Sequence, residues 1–170
     1  MHTNRLAVSF LIISSLLLLS SVSVLAQPAP IQGVQAHTIL FVCEHGSAKS
    51  IIAAAHYNDM AARNGLPYRA IARGVHPDKE IPPYITSGLA AEGLNIRGWQ
   101  PKLLGEDDVL RSDRMITLGC ALPTSKAFAA DKLQDWNIPS PSDNYKNASR
   151  AISERVALLL RELVGKQTLQ

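Results

Sequence analysis

Thr38-Ile39-Leu40-Phe41-Val42-Cys43-Glu44-His45-Gly46-Ser47-Ala48-Lys49-Ser50 is the stretch from which the architecture can be read. Ile39 to Val42 are apolar without alternation, the pattern of a central strand covered on both faces in a parallel sheet. The strand ends on a cysteine. A short loop with one glycine then leads into a small-residue helical stripe, Ile51, Ile52, Ala54, Ala55, Tyr57, Ala61 and Ala62, which stops at Asn64-Gly65 and Pro67. A strand that delivers a thiol to a helix N-terminus sets a nucleophile among backbone N–H groups and a helix dipole, which is a place for an anion.

Working outward, Tyr68 to Ala72 reads as a second strand, closed by Gly74 and Pro77. Pro83 suits the first turn of a helix carrying Ile85, Leu89 and Ala90 and stopped by Gly93. Asp113 to Cys120 is the third expected strand and Leu133 to Ile138, with Trp136, the fourth. The closing helix shows Ile152, Val156, Leu159, Leu160 and Leu163 on one face and Arg150, Glu154, Arg155, Arg161 and Glu162 on the other. Strands separated by helices predict a three-layer α/β domain with right-handed crossovers. Trp99 and Trp136 read as packing residues, and Arg73 and His76, after the second strand, read first as surface positions and secondly as a border of the pocket. Asn147-Ala148-Ser149 fits the glycosylation pattern but falls at a helix start.

The length of 170 residues with 46% apolar content allows one domain with a real core. Seventeen basic residues against fourteen acidic, net +3, are too balanced and too dispersed for nucleic-acid binding. The two cysteines lie far apart and no His-x3-His pair occurs, so neither a metal nor a cofactor is expected. His2 and Arg5, the apolar run Leu6 to Leu19 and the small-residue end Val24-Leu25-Ala26 predict a cleaved signal peptide over residues 1–26. An uncleaved anchor over Leu6 to Ala26 is the other reading, disfavoured by the serines that break the run. The mature chain would start near Gln27, periplasmic or secreted, with no membrane span after cleavage. Residues 27–37 read as a linker and 38–166 as the domain.

The run of apolar strand, Cys43, five residues, Lys49 and Ser50 resembles the phosphate-binding loop of the low-molecular-weight protein tyrosine phosphatases and the related thioredoxin-coupled arsenate reductases, whose pattern is Cys-x5-Arg-Ser. The element order matches that family from Thr38 to Lys166 and implies a four-stranded parallel sheet with the nucleophile loop after the first strand. It implies that Cys43 attacks phosphorus and that Glu44, His45, Gly46, Ser47, Ala48 and Ser50 bind a phosphate-like oxyanion or phosphomonoester. Ser47 and Ser50 are both expected to donate hydrogen bonds to the sulfur or the anion. Lys49 stands where the family has Arg, a point charge in place of a planar fork. Gly46 replaces the usual Asn, and both types accept a left-handed backbone. Ser140 in Pro139-Ser140-Pro141 stands where the family carries its general acid Asp, and a serine cannot supply that proton at neutral pH.

Asp135 or Asp143 can replace that acid, although Asp143 reads first as the N-cap of the last helix. His45 also departs from the pattern; it reads first as a solvated loop residue and secondly as a proton-transfer group. Leu118-Gly119-Cys120 resembles the redox-cysteine region of the arsenate reductases, which implies a disulfide with Cys43 and a thiol reductant as partner; a buried cysteine or a plain secretory disulfide is the other reading. Three functions follow: an exported cysteine-dependent phosphatase, an arsenate-reductase-like thiol enzyme using Cys43 and Cys120, and a non-catalytic oxyanion or phosphoprotein binder.

Overall fold

The computed structural model describes residues 37–123 and 132–167. The leader expected over residues 1–26, and the linker as far as residue 36, lie outside the described residues. The elements run β1 (His37–Cys43), α1 (Lys49–Arg63), β2 (Tyr68–Gly74), α2 (Pro83–Ala91), α3 (Glu106–Leu110), β3 (Arg114–Thr117), β4 (Leu133–Asp135) and α4 (Tyr145–Gln167). The four strands form one sheet in the order β2-β1-β3-β4, every pair parallel. No helix among the described residues is long and apolar enough to cross a membrane.

β1 is central, and its unbroken apolar run is explained by burial on both sides. Ile39, Phe41 and Cys43 join a large core with α1, α2 and α4, while Leu40 and Val42 face a smaller one with Met115, Ile71, Leu104, Val109 and Cys120. β2, at the edge, alternates instead: Tyr68, Ala70 and Ala72 are buried and Arg69 is exposed. Its open backbone is covered by the Asn58 side chain, which accepts from Ala70 N–H at 2.7 Å and donates to Ala70 O at 3.1 Å in the manner of a neighbouring strand. α1 is buried along Ser50 to Ala55, where small side chains let it seat closely between the sheet and α4.

Several boundaries differ from the sequence expectation. β3 ends at Thr117, and Gly119, at φ 71°, turns the chain away, so Cys120 is not a strand residue. Asp113 stays outside β3; its carboxylate accepts from Thr38 N–H at 2.7 Å and fastens the start of β1. β4 stops at Asp135, although Trp136 N–H still bonds Thr117 O at 2.8 Å while its ring is buried near Phe41. His37 belongs to β1 rather than to the linker. The short α3 was not expected. Its signal was the acidic first turn Glu106-Asp107-Asp108, in which Asp108 accepts from Gly105 N–H and closes the turn.

α4 is not capped by Asp143 as expected. Asn144 Oδ1 accepts from Asn147 N–H at 3.0 Å, and Asp143 is left exposed. Arg73 is not a surface residue either: its guanidinium makes a two-pronged contact with Asp108, at 2.7 and 2.8 Å, that ties β2 to α3. His76 is exposed as expected.

Candidate active site

The parallel sheet brings the C-terminal ends of β1, β2 and β3 to one edge, where α/β folds place their crevices. Cys43 closes β1 there, 4% exposed, with its Sγ 3.2 Å from Oγ of the fully buried Ser50 in the first turn of α1. No side chain caps α1, so its first-turn N–H groups are not taken up by the protein's own side chains. Between the two residues, Gly46 turns at φ 60° and lies directly on Gly74. A Cβ on Gly46 would come within 2.7 Å of Gly74 N, and one on Gly74 within 2.6 Å of Gly46 N. Two glycines are therefore needed for the loop to rest on the end of β2.

A second segment braces the loop from outside. Val75 N–H, His76 N–H and Asp78 N–H donate in turn to the carbonyls of Cys43, Glu44 and His45. Side chains cross the same seam: Asp78 accepts from Ser47 at 2.5 Å and faces His45 Nδ1 at 3.6 Å, while Glu44 meets His76 Nδ1 at 2.8 Å. Ser47 was expected to donate to the sulfur or to an anion. Its buried hydroxyl instead goes to Asp78, and Ser50 is the serine that touches sulfur. Asp78 was missed in the sequence because its partners are set by the β2 to α2 turn, a contact 31 residues away in the chain.

Lys49 does not extend freely over the loop. Its ammonium donates to Leu118 O at 3.0 Å and Ile138 O at 3.2 Å, pinning the segments after β3 and β4 to the start of α1. Ser140 sits just beyond Ile138, its Oγ 2.7 Å from Ser142 Oγ, and Ser142 donates to Asp143 at 3.3 Å. Asp135 is occupied elsewhere, accepting from Thr117 Oγ1 at 2.5 Å and from Gly119 N–H at 3.2 Å. Tyr84, in the first turn of α2, is 42% exposed; partial burial and then the carboxylates of Asp78 and Asp143 hold its hydroxyl above the usual phenol range. The Tyr145 ring, at the start of α4, lies directly on Gly88 of α2, so the turn carrying Ser140 and Asp143 enters α4 beside α2.

Cys120 is a free thiol, as is Cys43. Its Sγ lies 3.6 Å from Val42 O and it packs on the face of β1 opposite to the one that holds Cys43. Burial, and then the charges of Cys43, Glu44 and Asp135, push the Cys120 thiol up to about 11 in spite of a backbone hydrogen bond at Leu118. Among the described residues no cluster of three or more His, Cys, Asp or Glu side chains is placed to hold a metal.

The sequence model of the low molecular weight phosphotyrosine protein phosphatase family matches residues 38–170. Among solved structures, a low molecular weight protein tyrosine phosphatase from T. tengcongensis superposes with a TM-score of 0.69 at 20% identity, over 74% of this chain and 99% of that one. A thioredoxin-dependent arsenate reductase from Corynebacterium glutamicum gives 0.65 at 27% identity, over 81% and 65%. The arsenate reductase of Archaeoglobus fulgidus gives 0.58 at 28%, over 71% and 97%. No curated protein sequence matches the chain.

Proposed function

The chain belongs to the low molecular weight phosphotyrosine protein phosphatase family, and from that premise we propose that it is an exported, cysteine-dependent phosphatase acting on phosphomonoesters. The observation that carries the reading is the 3.2 Å approach of Ser50 Oγ to Cys43 Sγ at the uncapped start of α1. In that arrangement Cys43 as thiolate is the nucleophile, the hydroxyl of Ser50 turns to donate to the sulfur, and loop and first-turn N–H groups hold the equatorial oxygens of the phosphoryl group. Lys49 adds its charge from the side of the loop, through an ammonium already shared with two carbonyls. It cannot reproduce the two-pronged contact of an arginine, so turnover below that of an arginine-bearing loop is expected.

Steady-state hydrolysis of an aryl phosphate by the reduced protein, beside Cys43→Ser, is the test. Turnover lost in the variant supports the reading, and an inactive wild type that still binds phosphate leaves a non-catalytic oxyanion receptor. Export rests on the basic start, apolar middle and small-residue end of residues 1–26. Intact-mass measurement of protein from the native host should give an N-terminus near Gln27; full-length chain in the cytosol would overturn it.

A second reading draws on the 27% and 28% identity to two arsenate reductases, against 20% to the phosphatase. On it, the Cys43 thiolate displaces one arsenate oxygen as water to form an S–As bond. A second thiolate then attacks the Cys43 sulfur, so that the S–As bond breaks with its electron pair on arsenic, arsenite leaves and the two thiols are oxidised to a disulfide. Cys120 is the candidate thiol, but it faces the other side of β1 and holds its proton, so the phosphatase reading is preferred. Arsenite release with a thiol reductant, abolished by Cys120→Ser, would reverse that order.

A further inference from the structure

We propose that His45 is the group that protonates the leaving oxygen, with Asp78 as its positioning residue; this rests on the phosphatase reading above. The acid is needed because Ser140 has no proton to give at neutral pH and Asp135 is occupied by Thr117 and Gly119. Asp143 is exposed and stands at the end of a chain of two serine hydroxyls. His45 lies two residues beyond the nucleophile with its side chain 61% exposed, and its Nδ1 faces Asp78 Oδ1 at 3.6 Å. That contact leaves Nε2 as the outward nitrogen. Asp78 is itself held by Ser47 Oγ at 2.5 Å and by its own N–H on His45 O at 3.0 Å, so the carboxylate is fixed to the loop it serves. A base or acid oriented by a held third group is the arrangement that proton transfer requires.

Two histidine–carboxylate pairs flank the loop, and position separates them. Glu44, the partner of His76, bears on Cys120, which packs on the far face of β1. Asp78, the partner of His45, leads into α2, and α2 meets the start of α4 just after the Ser140 turn, where the Tyr145 ring lies directly on Gly88. His45 is therefore on the side from which a leaving group would depart. In the step itself, the S–P bond to Cys43 forms as the P–O bond to the leaving group breaks, and the proton on His45 Nε2 passes to the departing oxygen. Water then attacks phosphorus and gives its proton to His45, the S–P bond breaks, and phosphate and the Cys43 thiolate are regenerated.

The test compares esters whose leaving groups differ in their need for a proton. Wild type, His45→Gln and Asp78→Asn are assayed on 4-nitrophenyl phosphate and on phenyl phosphate across pH. Asparagine keeps an acceptor for Ser47 while removing the charge that faces His45, and thermal unfolding verifies that each variant folds. His45→Gln should lose about 10²-fold in kcat on phenyl phosphate, at least about tenfold more than on the nitrophenyl ester. It should also lose the limb of the kcat profile that reports the acid. The charged group that faces His45 is Asp78, which is held by Ser47 and bears on Tyr84, and the Glu44–His76 pair lies in the same seam. Asp78→Asn should shift the same limb and lose in the same sense by a smaller factor. Equal losses on both esters, or an unchanged profile, would overturn the assignment while leaving the phosphatase reading in place. A wild type that hydrolyses neither ester overturns both.

Discussion

Ser47 and Ser50 are both buried hydroxyls of one loop, yet the structure divides them, one onto Asp78 and the other onto Cys43 Sγ. A hydrogen bond to a charged partner is worth about 1.5 to 3 kcal/mol. Ser50→Ala should therefore slow both aryl-phosphate turnover and the alkylation of Cys43 at neutral pH by roughly ten- to a hundredfold. Iodoacetamide kinetics read the second effect without any assumption about the substrate, and an unchanged rate would remove Ser50 from the site. Cys120 makes the opposite case. With its thiol pushed up to about 11, the thiolate is scarce at neutral pH and rises about tenfold per pH unit until that point. Mass-resolved labelling between pH 7 and 10 should thus modify Cys120 slowly and with that slope. Fast labelling at pH 7 would contradict the burial argument and revive a resolving role for this thiol.

At the scale of elements, the two acceptors before α4 are Asp143 and Asn144, and only Asn144 reaches the N–H of Asn147. Asn144→Ala should cost about 1 kcal/mol, read as a lower urea midpoint at unchanged slope, whereas Asp143→Ala should move the midpoint by no more than about 0.5 kcal/mol. The reverse ranking would show that the helix starts one residue earlier than the contact implies. This position also shows what local sequence could and could not reveal. The strand of Ile39 to Val42 and the helices around Ile51 and Ile152 were legible because burial imposes a period on them. Which of two adjacent polar residues caps a helix depends on the path of the entering chain, which periodicity does not encode. The end of β3 was misplaced for a related reason: Met115 to Leu118 continue as buried residues, and the turn at Gly119 is a backbone event that apolar content does not mark.

Across the whole molecule, the sequence exposed the loop, since Cys43, Gly46 and Ser50 are contiguous or nearly so, but not its braces, which come from Gly74 to Asp78 and from the carbonyls of Leu118 and Ile138. The same distinction applies to a polar cluster that joins three helices on the other side of α1. His56 from α1 lies 2.8 Å from Ser149 of α4, which donates to Glu92, at the end of α2, at 2.9 Å. Burial holds the His56 imidazole below its usual range, outweighing the pull of Glu92 and Asp59 in the other direction. In the unfolded chain the same ring takes up a proton near pH 6.5. Since the unfolded state binds that proton more readily, the contribution of His56 to stability is complete above about pH 6.5 and declines as pH falls toward its lowered folded value. Urea midpoints measured from pH 7.5 to 5 should fall in the wild type and fall less steeply in His56→Gln, which keeps a hydrogen-bonding side chain at this junction without a group that titrates. Carboxylates elsewhere titrate in both proteins, so the difference between the two curves isolates the histidine. Parallel curves would mean that desolvation and the attraction of Glu92 and Asp59 cancel, so that His56 binds its proton equally in the folded and unfolded chain. A wild type that falls less steeply than His56→Gln would mean that the attraction outweighs desolvation at the junction of α1, α2 and α4.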